Sequence, residues 1–212
     1  MTAEAATRER ICRLGRSLFE RGLTFGSSGN ISARIDGGWL MTPTNVALDR
    51  LDPATLARLD DAGRHVAGDP PTKEAMLHVA MYRERASAAA VVHLHATHSV
   101  AVSCLAGIDP ADVLPPITAY YVMRVGTLPL VPYFPPGDPA LAEAVGRLAA
   151  RHAAVLLANH GPVVAGTSLD AAACAIEELE ETARLFLLLR AHETRYLTNE
   201  QAAEVRKRYP IA

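Results

Sequence analysis

The run AAAVVHLHA at positions 88–96 is short, apolar and partly β-branched, and it follows the charged residues Arg83, Glu84 and Arg85, so it reads as a strand that begins where a helix ends. A second run, AAVLLANHGPVVAG at 153–166, reads as two strands hinged at His160-Gly161-Pro162. Helical patterns stand on either side of both runs, so the chain must pack helices on a sheet. Composition agrees: 50% of the 212 residues are apolar but only 5% are aromatic. That balance suits an α/β or α+β layer protein better than an aromatic-rich sandwich. A chain of 212 residues buries one substantial core, and no linker or repeat divides it, so 1–212 is read as a single domain.

Ile11, Leu14, Leu18 and Phe19 recur at helical spacing and predict an opening helix from Glu4 to Leu23, with Gly22 as a stop. GLTFGSSGN then reads as a loop, and ISARI and WLMT flank the turn-prone DGG at 36–38 as a hairpin. After a polar segment at 56–68, two prolines precede a helical pattern starting near Thr72. HSVAVSCLAG predicts a short helix ending at Gly107, and the proline-dense segment 114–139 predicts irregular chain with short strands such as LPLVPY. DPALAEAVGRLAAR and the long stretch 168–192 are helical, the latter acidic early and basic late as the helix dipole favours. Thr198 and Gln201 have the spacing of a capping box for a closing helix.

A formal charge of −2 offers no basic face that would release counterions from a polyanion, so nucleic acid is excluded as a partner. The opening residues MTAEAATRER lack the apolar core of a secretion signal, and no apolar run approaches bilayer length. The expected protein is cytoplasmic and makes no membrane contact. Cys12, Cys104 and Cys174 are odd in number and widely spaced, and read as buried free thiols.

The chemistry concentrates at VVHLH. On a strand, side chains two residues apart share a face, so His93 and His95 form a platform for a metal ion. A catalytic site of this kind takes about three protein ligands and keeps a position open. His98 and His160 are the candidates for the third; His160 is favoured, because Gly161 lets the backbone turn sharply beside it. Glu74 and His78 lie four apart and share a helix face. Glu74, in the first turn of its helix, can move a proton or fill the open metal position when substrate is absent. A packing role is the expectation for His78. GSSGN at 26–30, Thr44 and Asn45 in TPTN, and Thr72 supply hydroxyls and flexible backbone for an anion. The spacing matches neither a Walker loop nor a dinucleotide fingerprint.

In this order, GSSGNIS, TPTN, PTKE, VVHLHATH and ANHGPVVAG resemble the class II aldolase and adducin-like family across 10–192. The resemblance implies a three-layer α/β/α fold on a mostly antiparallel sheet. It implies one divalent metal per subunit, zinc first, with Mn²⁺, Co²⁺, Fe²⁺ or Ni²⁺ as alternatives. It also implies a homotetramer with active sites between subunits. His93, His95 and His160 match the metal ligands and Glu74 the acid/base carboxylate. Ser28, Gly29, Asn30, Thr44, Asn45 and Thr72 match phosphate-binding positions, and Tyr120 or Tyr121 matches a tyrosine lent to the neighbouring subunit. Asn45 stands where the aldolase pattern has glycine, and Lys73 where it has a small hydroxyl residue.

TPTN, PTKE, ANHGPVVAG and EELEETA look most like the branch that decarboxylates 3-oxo-tetronate 4-phosphates, and a cation at Lys73 fits a substrate with an extra negative group. The implied reaction releases CO₂ from a small phosphorylated sugar acid, leaving an enediolate that becomes dihydroxyacetone phosphate. The alternative is an aldolase acting on a ketose 1-phosphate such as L-fuculose 1-phosphate. A sugar-phosphate 4-epimerase is a weaker match, since Glu74 stands where that pattern shows Asp. Adducin-like binding modules lose the histidines that this chain keeps.

Overall fold

The computed structural model describes residues 2–135 and 137–211. Its helices are α1 (Ala3–Glu20), α2 (Ala75–Glu84), α3 (Thr97–Ser103), α4 (Ala119–Arg124), α5 (Pro139–Ala149), α6 (Leu169–Leu189) and α7 (Asn199–Arg208). Its strands are β1 (Asn30–Ile35), β2 (Gly38–Met41), β3 (Ala57–Leu59), β4 (His65–Ala67), β5 (Ala90–His93), β6 (Leu130–Val131), β7 (Ala154–Leu157) and β8 (Gly161–Gly166).

The strands form one sheet in the order β4-β3-β2-β1-β5-β8-β7-β6. The sheet is mixed: β6 runs parallel to β7, and the other neighbouring pairs are antiparallel. Central strands are buried on both faces. Val92, Leu156 and Val164 enter one core with residues of α1, α3, α4, α6 and α7; Val91, Val155 and Val163 enter the other with α2 and α5. Neighbours along a strand point to opposite faces, which is why the sequence shows continuous apolar runs here instead of alternation. Each such valine or leucine contributes about 1.5–3 kcal/mol by leaving water.

Several boundaries differ from the sequence expectation. Helix α2 begins at Ala75, not near Thr72; Glu74 takes the N-cap position, with φ −98° and ψ 15°. Strand β5 stops at His93, so His95 lies past the ladder. The polar segment 56–68 contains the three-residue strands β3 and β4, too short to show a period. Helix α4 arises in the proline-dense segment because Thr118 accepts from the Tyr121 N–H and starts a turn there. Helix α3 ends at Ser103, ahead of Gly107. The β7–β8 hinge falls on 158–160, with Gly161 opening β8. Of the thiols, Cys12 is half-buried while Cys104, at the C-cap of α3, and Cys174, on the outer face of α6, are exposed. The Thr198–Gln201 capping box forms as the spacing predicts.

Candidate metal centre and adjoining cavity

His93 closes β5 and is fully buried. Its Nδ1–H donates to the Pro162 carbonyl at 2.8 Å, which fixes the tautomer and leaves the Nε2 lone pair facing inward. Gly161 makes this register possible: a Cβ there would sit 2.4 Å from the Leu94 carbonyl oxygen. Asn159, two residues before Gly161, adopts a left-handed φ of 55° and turns His160 back toward the strand end. His95, one residue beyond Leu94, completes the group. The three ring centroids lie 5.0, 4.8 and 4.7 Å apart with steeply inclined planes.

Glu74 joins them from the start of α2. Its Oε2 is 3.4 Å from His93 Nε2 and its Oε1 is 3.2 Å from His160 Nε2, while His160 and His95 approach at 3.1 Å between Nε2 atoms. One ligand atom from each of the four residues lies within 4.8 Å of every other. Metal–nitrogen bonds of about 2.0–2.1 Å at tetrahedral angles put ligand atoms about 3.3 Å apart. The donor set therefore fits a divalent ion. Two of these atoms, Glu74 Oε1 and His93 Nε2, are buried without a hydrogen-bond partner, an arrangement that costs free energy unless something binds there. Burial lowers the affinity of both His93 and His95 for a proton, taking His95 to about 4, so their nitrogens are free to ligate at neutral pH. Burial pushes the Glu74 carboxyl upward, but the His93 and His160 rings and the Asn30 amide outweigh it and hold it well below the usual carboxylate range.

His98 does not reach this cluster. Its Nδ1 bonds Glu180 at 2.8 Å on the other side of α3.

Beside the cluster lies a cavity of about 150 Å³ bounded by Ser28, Gly29, Asn30, Thr44, Asn45, Thr72, Lys73 and Glu74, with His95 and His160 at its metal end. Gly29 brings the loop against the metal strand; with φ 80°, an added Cβ would meet the His93 carbonyl at 3.1 Å and Thr24 Oγ1 at 3.0 Å. Asn45 has φ 59°, so it occupies the left-handed conformation that the glycine of the aldolase pattern would take. The Ser28 hydroxyl donates to the Phe25 carbonyl at 2.5 Å and holds the loop closed. Thr72 Oγ1 accepts from the Glu74 N–H at 3.3 Å. Lys73 is exposed at the cavity mouth. The Asn30 side chain is the exception in this set: it turns away from the loop to donate to Glu74 Oε2 at 2.8 Å.

The two candidate tyrosines part company. Tyr120 is 59% exposed, whereas Tyr121 is 1% exposed and packs in the core with its hydroxyl unpartnered. Tyr121 therefore cannot reach another subunit. Sequence reasoning missed Phe25, Tyr133 and Phe134, which with His95 and His160 line a second cavity of about 470 Å³ that also reaches the metal cluster. Nothing in their local pattern marks them, since loops bring them together. It also missed Ser32 and Tyr82, although Ser32 stands two residues after Asn30 and Tyr82 four after His78, the periods that put them on shared faces.

Residues 9–187 match the family described as the class II aldolase and adducin N-terminal domain. The chain is 54% identical to a 3-oxo-tetronate 4-phosphate decarboxylase of Cupriavidus necator, over 90% of this chain and 88% of that protein. It is 34% identical to the L-fuculose phosphate aldolase of Escherichia coli, over 78% and 75%. The crystal structure of YgbL from Escherichia coli, described as an aldolase, epimerase or decarboxylase, superposes with a TM-score of 0.95 at 47% identity, covering 97% of this chain and all of that one. With this fold and this match across most of its length, the chain belongs to the class II aldolase and adducin family.

Proposed function

We propose that this protein is a metal-dependent carboxy-lyase that converts a 3-oxo-tetronate 4-phosphate to dihydroxyacetone phosphate and CO₂. The observation that carries the reading is the pair of orphaned atoms, Glu74 Oε1 and His93 Nε2, turned to one point beside the cavity lined by Ser28, Thr44 and Thr72. The similarity to 3-oxo-tetronate 4-phosphate decarboxylases supports the choice of substrate.

His93, His95 and His160 would hold the ion, which when bound polarises a ketone and stabilises the negative charge left by carbon–carbon cleavage. The Ser28–Gly29 loop, with Thr44, Asn45 and Thr72, binds the phosphate. Lys73 at the cavity mouth pairs with the substrate carboxylate and aligns the bond between C1 and C2. When that bond breaks, its electron pair moves toward the C3 ketone and CO₂ departs. Glu74, ionised at rest, takes up a proton at Oε1 from the cavity side and passes it to C2, so each turnover consumes one proton. Zinc is the first choice of ion. Tyr120, exposed on α4, is the tyrosine offered to a neighbouring subunit in a homotetramer. A phosphorylated sugar acid is retained inside cells, which favours a cytoplasmic enzyme.

The similarity to an L-fuculose phosphate aldolase sustains a second reading, in which the same site releases an aldehyde. The deciding experiment supplies metal-reconstituted and chelator-treated protein with D- and L-configured 3-oxo-tetronate 4-phosphates and with L-fuculose 1-phosphate. Dihydroxyacetone phosphate with CO₂ from one tetronate epimer, abolished by chelation, is the expected result. No turnover of either epimer, or faster aldehyde release, overturns it.

A further inference from the structure

Behind Glu74, a buried hydrogen-bonded array runs inward from Asn30, at the cavity wall, between α2 and β1. Asn30 Nδ2 donates to Glu74 Oε2 at 2.8 Å, and Asn30 Oδ1 meets His78 Nε2 at 2.5 Å. His78 Nδ1 meets Ser32 Oγ at 2.7 Å, and Ser32 Oγ meets the Tyr82 hydroxyl at 2.9 Å. Exposure falls from 8% at Glu74 and 5% at Asn30 to zero at His78 and Ser32 and 2% at Tyr82. The array alternates between elements because their repeats match. Glu74, His78 and Tyr82 step by four along the helix, about 6 Å each; Asn30 and Ser32 step by two along the strand, about 6.6 Å.

Chemistry fixes the direction of every bond. An ionised Glu74 only accepts, so the Asn30 amide must turn its NH₂ toward it and its carbonyl toward His78. His78 must then carry its proton on Nε2, which leaves Nδ1 to accept from the Ser32 hydroxyl. Ser32, having donated, accepts from Tyr82. All the donors point one way, toward Glu74 Oε2.

We propose that Asn30, His78, Ser32 and Tyr82 are positioning residues that pin Glu74 by Oε2 and so reserve Oε1 as the oxygen that works on substrate. The inference rests on the reading of Glu74 as the group that moves the proton. The array does not supply that proton. Its far end is closed, since Tyr82 stacks on Trp39 at 5.6 Å and lies beneath the Arg34 guanidinium at 5.0 Å. The proton taken up in each turnover therefore enters from the cavity side, and the array sets orientation alone.

The test uses two substitutions of matched chemistry at one site. In His78→Gln the side-chain amide nitrogen reaches where Nε2 lies and can still donate to Asn30; in His78→Asn it reaches only the Ser32 side. With the metal-loaded enzyme, we expect His78→Gln to keep kcat within about tenfold and His78→Asn to lose about 100-fold, with KM and metal content unchanged, the scale of a misplaced catalytic group. Ser32→Ala and Tyr82→Phe should lower kcat by about tenfold and about threefold. Long-range ¹⁵N–¹H spectra of the metal-free wild type should show His78 as the Nε2–H tautomer, a readout independent of turnover. The Nδ1–H tautomer, equal losses in the Gln and Asn variants, or losses that track metal content all overturn the array. If the wild type turns over no tetronate phosphate, the reading of the reaction fails, while the tautomer still decides the array. Should the His78 variants fail to fold, the Ser32 and Tyr82 variants and the spectra decide it.

Discussion

Glu74 and Glu180 are equally buried at 8% exposure, and each faces a histidine, yet their oxygens are used in opposite ways. Glu180, on α6, is saturated. Its Oε1 accepts from the backbone N–H and Nδ1 of His98, and its Oε2 accepts from the N–H and hydroxyl of Ser99, all at 2.7–2.8 Å. Those N–H groups belong to the first turn of α3, where no helical carbonyl can reach them, so a carboxylate 81 residues away in sequence caps the helix. Glu74 takes its one well-formed hydrogen bond at Oε2, from Asn30, while its Oε1 faces His160 Nε2 at 3.2 Å without forming one. A buried carboxylate that the fold satisfies is part of the scaffold; one that the fold leaves half-used is kept for something that arrives.

The sharpest way to break this contrast is at the metal end. His93→Ala, or chelation of the native protein, should reduce activity to about a thousandth or less, because the ligand set and the charge stabilisation go together. Metal content by elemental analysis checks the cause: activity retained without bound metal would remove the function assigned to the orphaned atoms. Next in size, Glu74→Gln should cost about 10²–10⁴ in kcat, the span of a lost acid/base group. Thermal unfolding should move little, since the substitution removes a buried charge that is only half paired. A large fall in stability would make Glu74 a scaffold residue like its counterpart.

Glu180→Ala should show the reverse. It strands two backbone donors and the Ser99 hydroxyl in the interior, at a cost of about 2–4 kcal/mol by denaturant unfolding. Rates per folded enzyme should stay within about threefold. A metal affinity that fell with it would join the two clusters and dissolve the distinction.

The sequence disclosed one side of this comparison far better than the other. His93, His95 and the Asn159-His160-Gly161 turn are legible because a strand period and a glycine hinge act over a few residues. The strands among the described residues lie in one sheet whose buried center, β5 with β7 and β8, was readable from apolar runs. Strands β3 and β4 were not, since three residues show no period, and α4 was hidden because flanking prolines at 115, 116 and 129 outweigh a six-residue helical turn. Glu180 has no local signal at all: it looks like any acidic residue in EELEETA until the fold brings α6 against α3. The choice between Tyr120 and Tyr121 likewise needed the phase of α4, which turns one ring to solvent and the other into the core.

The smallest effect concerns His98, the residue that competed with His160 for the metal. Its side chain is 40% exposed and gives Glu180 a single hydrogen bond, while the adjoining backbone donors do not depend on its ring. His98→Ala should therefore cost about 1 kcal/mol, the net worth of one partly exposed bond. Metal stoichiometry should be unchanged, and activity should hold because α3 keeps its cap. His160→Ala is the matched control, and it should lose metal with little loss of fold. If the two variants exchanged those outcomes, the ligand would be the histidine that the fold has already satisfied, and the open side of Glu74 would no longer mark the working site in this chain.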